Sequence, residues 1–229
     1  MTPDFERPAI AGAASDNDLK YISEDILKAL DLIELRVDHF FSLTDGHIKD
    51  VFKEAKALKK PLIATVRSTE EGGQRDIPDS KRIRLFNLTR NYADFIDIEA
   101  RSEIFDKVRN LARDAGITLI ASYHNFENTP SYDELSGFIA EYRERGANIV
   151  KIATTVNSKD DLRTVTRITL DHHQEGIVTI CMGGKGLISR LFFPSVGSLF
   201  TFASIGNSKA PGQIPVLELR KYMEALIER

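Results

Sequence analysis

Lys151 interrupts the apolar run Ala147-Asn148-Ile149-Val150-Lys151-Ile152-Ala153, which is short, β-branched, preceded by Arg145-Gly146 and followed by a Thr/Asn/Ser turn, the pattern of a buried strand. Desolvating an ammonium costs several kcal/mol or drives the amine toward its neutral form, so lysine is seldom enclosed without a reason. A neutral amine on a rigid strand is what imine chemistry with a carbonyl needs. The competing reading is a lysine at a strand end whose stem carries the ammonium out to water.

Other residues able to do chemistry fall at the ends of comparable runs. His124 follows Thr118–Tyr123 and, because imidazole titrates near neutrality, is the natural general acid or base; a hydrogen-bonded core histidine is the alternative. Alternation in Leu32-Ile33-Glu34-Leu35-Arg36-Val37 puts Glu34 and Arg36 on one face, which in a strand buried on both sides means an ion pair or a ligand site. Arg67 ends another run and is followed by Glu70-Glu71-Gly72-Gly73, while Asp97 and Glu99 end a fourth. Gly183-Gly184-Lys185-Gly186 would suit a phosphate, but it lacks the Walker spacing and reads better as a tight turn opening a helix. Arg190 lies one helical turn later, and a loop from Ile205 ends in Gln213. His172-His173 lacks the i, i+4 spacing of a metal pair and reads as surface.

The elements that must position these groups alternate along the chain. Strand candidates are Pro8–Ala13, Leu32–Val37, Leu62–Arg67, Phe95–Glu99, Thr118–Tyr123, Ile149–Ala153, Ile177–Met182 and Ser198–Ser204. Helical spacing separates them, as in Ile48, Val51, Phe52, Ala55 and Leu58, or Leu135, Phe138, Ile139 and Tyr142. Asp16 or Asp18, Thr44, Ser131 and Ser158 are the expected N-caps. With no Gly-x-Gly-x-x-Gly after the first strand, the economical reading is an α/β (β/α)8 TIM barrel occupying residues 1–229 as a single domain. The candidate residues then converge at the C-terminal rim of the strands, where such barrels keep their chemistry.

Composition narrows the partners. A net charge of −3 without a long basic run argues against nucleic acid, and no apolar stretch is long enough to cross a membrane. The start of the chain lacks the apolar core of a signal peptide, and one cysteine, Cys181, excludes an internal disulfide and a zinc cluster; a cytoplasmic protein is expected.

In combination these residues resemble the type I 3-dehydroquinate dehydratases. The match runs in order through Glu34-Leu35-Arg36-Val37-Asp38, Thr65-Val66-Arg67-Ser68, Glu71-Gly72-Gly73, Asp94-Phe95-Ile96-Asp97-Ile98-Glu99 and Ser122-Tyr123-His124-Asn125-Phe126. It continues through the Lys151 strand, Gly186-Leu187-Ile188-Ser189-Arg190 and Ala210-Pro211-Gly212-Gln213. The resemblance implies a barrel enzyme of the shikimate pathway that dehydrates 3-dehydroquinate to 3-dehydroshikimate without metal or organic cofactor. It implies an imine on Lys151, whose protonated form is an electron sink, with His124 as general base and then acid, and Glu71 orienting and charging the histidine. It further implies Arg190 as the clamp for the substrate carboxylate, and Glu34, Arg36, Arg67 and Gln213 as ligands of the ring; a homodimer is the expected assembly. Lys209 departs from the small polar residue usual before the Ala-Pro-Gly-Gln motif, so Ser208 and Lys209 are assigned no role. The short N-terminal segment suggests a reduced hairpin at the barrel floor, and Gly206 to Gly212 has the length of a lid. A class I aldolase on the same fold is the nearest rival, and a non-catalytic metabolite-binding barrel the other.

Overall fold

A computed structural model describes residue 5, residues 7–206 and residues 213–227. Among these residues nine strands form one parallel sheet: β1 (Ala9–Ala14), β2 (Leu32–Arg36), β3 (Leu62–Thr65), β4 (Phe95–Glu99), β5 (Thr118–Asn125), β6 (Ile149–Thr155), β7 (Ile177–Met182), β8 (Phe200–Ser204) and the two-residue β9 (Ile214–Pro215). Their order is β7-β6-β5-β4-β3-β2-β1-β8-β9, so β1 pairs with both β2 and β8 and the sheet curls on itself. The remaining seam, between β7 and β8, has no strand ladder among the described residues, although Leu199 N–H donates to the Ile177 carbonyl at 2.9 Å. This is the expected barrel, with β9 as an element the sequence did not suggest.

Each crossover carries a helix: α1 (Glu24–Ala29), α2 (Asp45–Ala57), α3 (Asp79–Thr89), α4 (Phe105–Ala115), α5 (Tyr132–Glu144), α6 (Lys159–Asp171), α7 (Ser189–Ser195) and, after β9, α8 (Val216–Leu226). The apolar stripe of α2 (Ile48, Val51, Phe52 and Ala55) is buried as its spacing predicts. Ser131 and Ser158 cap α5 and α6 through reciprocal capping boxes with Glu134 and Asp161. At the other two positions the caps differ. Ser23 rather than an aspartate caps α1, while Thr44 occupies the N-cap position of α2 as expected but makes no side-chain bond to it. Asp18 instead accepts from Ser15 N–H and Oγ at 2.7 Å, closing a capping box around a 3-10 turn over Asp16–Tyr21.

Strand alternation sorts two cores. Outward residues such as Ile33, Leu35, Ile96, Ile98, Val150 and Ile152 pack beneath the helices. Inward residues Ala9, Ala11, Leu32, Ile63, Phe95, Ile120, Ile149, Val178 and Phe200 fill the barrel. Phe5 packs edge-on against Phe200 with ring centroids 6.3 Å apart and helps stop the floor. Above this layer the same inward period continues as Glu34, Arg36, Thr65, Arg67, Asp97, Glu99, Ser122, His124 and Lys151. The barrel is apolar below and charged above because of where along each strand the sequence switches character.

Candidate active site

The charged layer opens into a cleft of about 640 Å³, counting its mouth, lined on β2 by Glu34 and Arg36, just after β3 by Arg67, and on β5 and β6 by His124 and Lys151. Glu71 and Gly72 come from the loop after β3, Arg190 from α7 and Gln213 from the segment before β9. All eight residues picked out in the sequence therefore meet around one cavity. Ile180, Met182, Ala153, Phe126 and Phe202 supply its apolar wall.

Lys151 is buried, as its apolar run predicts, but it is not an amine in an apolar sleeve. Its Nζ donates to Asp97 Oδ2 at 3.0 Å and stands 4.1 Å from the centroid of the Phe202 ring. Asp97 Oδ1 is occupied in turn by Arg67 Nη2 and Ser122 Oγ, each at 2.7 Å. Burial opposes ionisation of Asp97, but Arg67 and Lys151 outweigh it and hold the carboxyl well below the usual range. Partnership with Asp97 thus replaces desolvation as the chief feature of the lysine's surroundings. Asp97 was visible as a strand-end carboxylate, yet nothing local to its own segment identifies the cation it faces.

His124 is tied to Glu71 twice, through its backbone N–H and its ring Nδ1, both 2.9 Å from Oε2. With Glu71 ionised, that oxygen accepts the ring N–H as well, which leaves Nε2 as the basic nitrogen toward the cleft. Burial, reinforced by Arg67 and Lys151, keeps the imidazole well below its ordinary value, so it is neutral at rest. Burial also raises the Glu71 carboxyl to about 7; Arg67 pulls it down, while Glu99 pushes it up. The resting pair is therefore closer to neutral than to a fixed imidazolium–carboxylate pair.

Glu71 reaches this position through a tight 3-10 turn, Thr69–Glu71, between Ser68 and Gly72. Gly72 has φ +84°, and a Cβ on Gly73 would stand 2.3 Å from the Arg67 carbonyl, so the Gly-Gly pair is required by the path of the chain. The turn is anchored from below. Ser68 N–H donates to Glu99 Oε1 at 2.7 Å, and Glu99 Oε2 is held by Arg82 of α3. Arg36 forms a two-pronged pair with Asp38 at 2.9 and 2.7 Å and donates to the Gly72 carbonyl at 3.3 Å. Thr65 Oγ1 donates to Glu34 Oε1 at 2.8 Å. Arg67 donates to Glu99, Ser122 and Asp97, so it organises the carboxylates of the layer besides facing the cleft. Arg190 is buried, with Nη1 donating to the Phe202 carbonyl at 3.1 Å.

Other sequence candidates lie apart from the cleft. Gly183–Gly186 is a turn: Gly183 has φ +82°, Gly184–Gly186 is a single 3-10 turn, and Lys185 donates to the Asn157 carbonyl. His172 bonds to Glu175 and Ser136, and no metal-binding group of three or more side chains occurs among the described residues. Ser208, Lys209 and most of the suggested lid lie outside the described residues.

The family model "Type I 3-dehydroquinase" matches residues 12–228. The chain belongs to the type I 3-dehydroquinase family. A 3-dehydroquinate dehydratase of Thermodesulfovibrio yellowstonii is 41% identical, across 93% of this chain and 92% of that one. Among solved structures, the 3-dehydroquinate dehydratase of Geobacillus kaustophilus superposes with a TM-score of 0.88 at 28% identity, covering 96% of this chain and 91% of that one. The type I enzyme of Clostridium difficile, solved with covalent modified comenic acid, gives 0.87 at 31% identity over 99% and 94% of the two chains.

Proposed function

We propose that Lys151, His124 and Glu71 carry out the dehydration of 3-dehydroquinate to 3-dehydroshikimate that membership of the type I 3-dehydroquinase family gives this chain. One observation carries the assignment: a buried lysine and a histidine held by Glu71 face the same cleft from neighbouring strands, with Ser122 paired to Lys151 and His124 to Ala153 across β5 and β6. Lys151 attacks the substrate ketone and water leaves, giving an imine that draws electrons from the adjacent carbon. Asp97, held ionised, is a poor acceptor for the proton that Lys151 must first shed. Glu71, raised to about 7 by burial, is the group of the cleft best able to take it.

His124 Nε2 then removes the proton beside the imine and returns one to the departing hydroxyl, while Glu71 holds the ring and stabilises its charged form. Arg190 binds the substrate carboxylate. Glu34, Arg36, Arg67 and Gln213 surround the ring hydroxyls, with Arg36 and Arg67 already held in place by Asp38, Asp97 and Glu99. The covalently modified ligand of the Clostridium difficile relative supports an enzyme that works through a covalent intermediate. Nothing in the comparisons favours an aldolase.

We further propose that residues 1–229 act as one catalytic barrel in the cytoplasm, as a homodimer. No helix among the described residues is long and apolar enough to cross a membrane. Leu187, Ile188 and Phe192, 41%, 52% and 40% exposed on and just before α7, give an apolar surface suited to a second copy. The test of function is enone absorbance from 3-dehydroquinate in chelator-treated buffer. Lys151→Ala should keep the circular dichroism of the parent and lose nearly all turnover. Substantial turnover in that variant would overturn the assignment.

A further inference from the structure

We propose that Asp97 is the counter-ion of the Lys151 imine, the fixed charge that keeps its nitrogen protonated while the adjacent carbon gives up its proton. The inference rests on Lys151 being the imine lysine. It begins with a carboxylate enclosed beneath the cleft, which holds Arg67 through one oxygen and has the other free for Lys151. Asp97 lies in the middle of β4, its side chain fully enclosed, and it is not among the residues that line the cleft. It reaches the cleft through two groups, Arg67 at Oδ1 and the lysine nitrogen, 3.0 Å from Oδ2. Arg67 and Ser122 occupy Oδ1, and this fixes the carboxylate plane so that Oδ2 is presented to Nζ.

Imine formation joins amine to ketone with loss of one water and leaves C=N–H⁺, one N–H where the ammonium had three. No proton passes to Asp97; its Oδ2 accepts the N–H that remains. Only the protonated imine draws in the electron pair of the neighbouring C–H bond, so a neutral imine would stall at this point. Holding the proton is a demand on the site, because its other nearby charges are mixed. Arg67 just after β3 and Arg36 at the end of β2 disfavour a cation, as does Arg190 from α7. Glu34 on β2 and Glu71 after β3 favour one, and Glu99 is engaged by Arg67 and Arg82. His124 on β5 is neutral at rest. On the other side β7 contributes only Val178, Ile180 and Met182 to the barrel interior, and β8 the Phe202 ring. Among the described residues Asp97 is the carboxylate in direct contact with Nζ. The same Arg67 and Lys151 contacts that keep Asp97 ionised ensure that its charge persists across the range in which an imine titrates.

The test uses cyanoborohydride, which reduces the protonated imine and not the neutral one. Wild-type protein and Asp97→Asn are incubated with 3-dehydroquinate across pH, and the reduced adduct on the Lys151 peptide is quantified by mass spectrometry. An opposite charge at this distance moves a titration by roughly 1–3 units, so trapping in Asp97→Asn should fail at a pH lower by that amount. The alkaline limb of its kcat profile should move with it, and Asp97→Glu should restore both in part. Identical pH dependence in wild type and Asp97→Asn would overturn the counter-ion role while leaving the imine intact. Absence of any Lys151 adduct in the wild type would instead overturn the imine reading. Should Asp97→Asn fail to fold, the wild type still decides: trapping must persist well above the neutral range where an unassisted alkyl imine loses its proton, and loss of trapping near neutrality would sink the proposal.

Discussion

Replacing Glu71 by glutamine should stabilise the protein at alkaline pH while impairing it as a catalyst. Burial moves the Glu71 carboxyl from its ordinary 4.5 to about 7, so the folded state binds a proton that the unfolded chain releases between those values. The sign follows directly. Stability contributed by this group is fully present below 4.5 and is lost as pH rises toward about 7, beyond which the protein carries a buried carboxylate at a cost. A shift of two and a half units at about 1.36 kcal/mol per unit bounds that cost at roughly 3 kcal/mol. Glutamine keeps an oxygen for the His124 backbone and ring N–H groups without the charge.

Glu71→Gln should therefore match the wild type near pH 4.5 and gain progressively up to about pH 7. By pH 8 the advantage should reach 1–3 kcal/mol, at roughly 2–4 °C of Tm per kcal/mol for a chain of this size. Urea unfolding at a series of pH values measures the difference curve, and steady-state kinetics on the same samples should show kcat reduced roughly tenfold or more. A difference that is flat with pH, or a glutamine variant less stable at pH 8, would refute the reasoning about why Glu71 is strained.

Gly73→Ala introduces a Cβ 2.3 Å from the Arg67 carbonyl, a backbone atom that cannot yield without moving the Glu71 turn. Turnover should fall by roughly 10²-fold with only a modest drop in Tm, measured by kinetics and calorimetry. Arg190→Met removes the proposed carboxylate clamp, so KM should rise roughly 10–100-fold with kcat less affected; an unchanged KM would assign the carboxylate elsewhere. Arg82→Met strips the α3 anchor from Glu99 and leaves a buried carboxylate short of a partner. It should cost about 3–5 kcal/mol in chemical denaturation, and an effect below 1 kcal/mol would show that Arg67 and Ser68 suffice.

The barrel was legible because its strands are buried on both faces and so stand out as short apolar runs, while their polar ends mark one rim. Glu34, Arg36, Arg67, His124 and Lys151 were legible for the same reason: each is a charged or titratable residue on the inward period of a strand or just past its end. What stayed hidden was pairing across strands. Asp97 meeting Lys151, or Glu99 tying Arg67, Arg82 and Ser68 together, depends on the stagger of β3 to β6, and a strand's own residues do not encode it. The neutral amine expected for Lys151 followed from burial alone; Asp97 supplies the missing partner. The cap at Ser23 was missed because Asp16 and Asp18 offer equally good local chemistry, and Gly73 because a clash with Arg67 requires the folded turn.

The central claim is a covalent bond between Lys151 and the substrate carbonyl. The wild-type protein is incubated with 3-dehydroquinate, reduced with borohydride, weighed intact and mapped by peptide mass spectrometry. The account predicts one stoichiometric adduct, on the peptide containing Lys151, abolished by Lys151→Ala. Full turnover with no reduced adduct, or an adduct on another lysine, would contradict it.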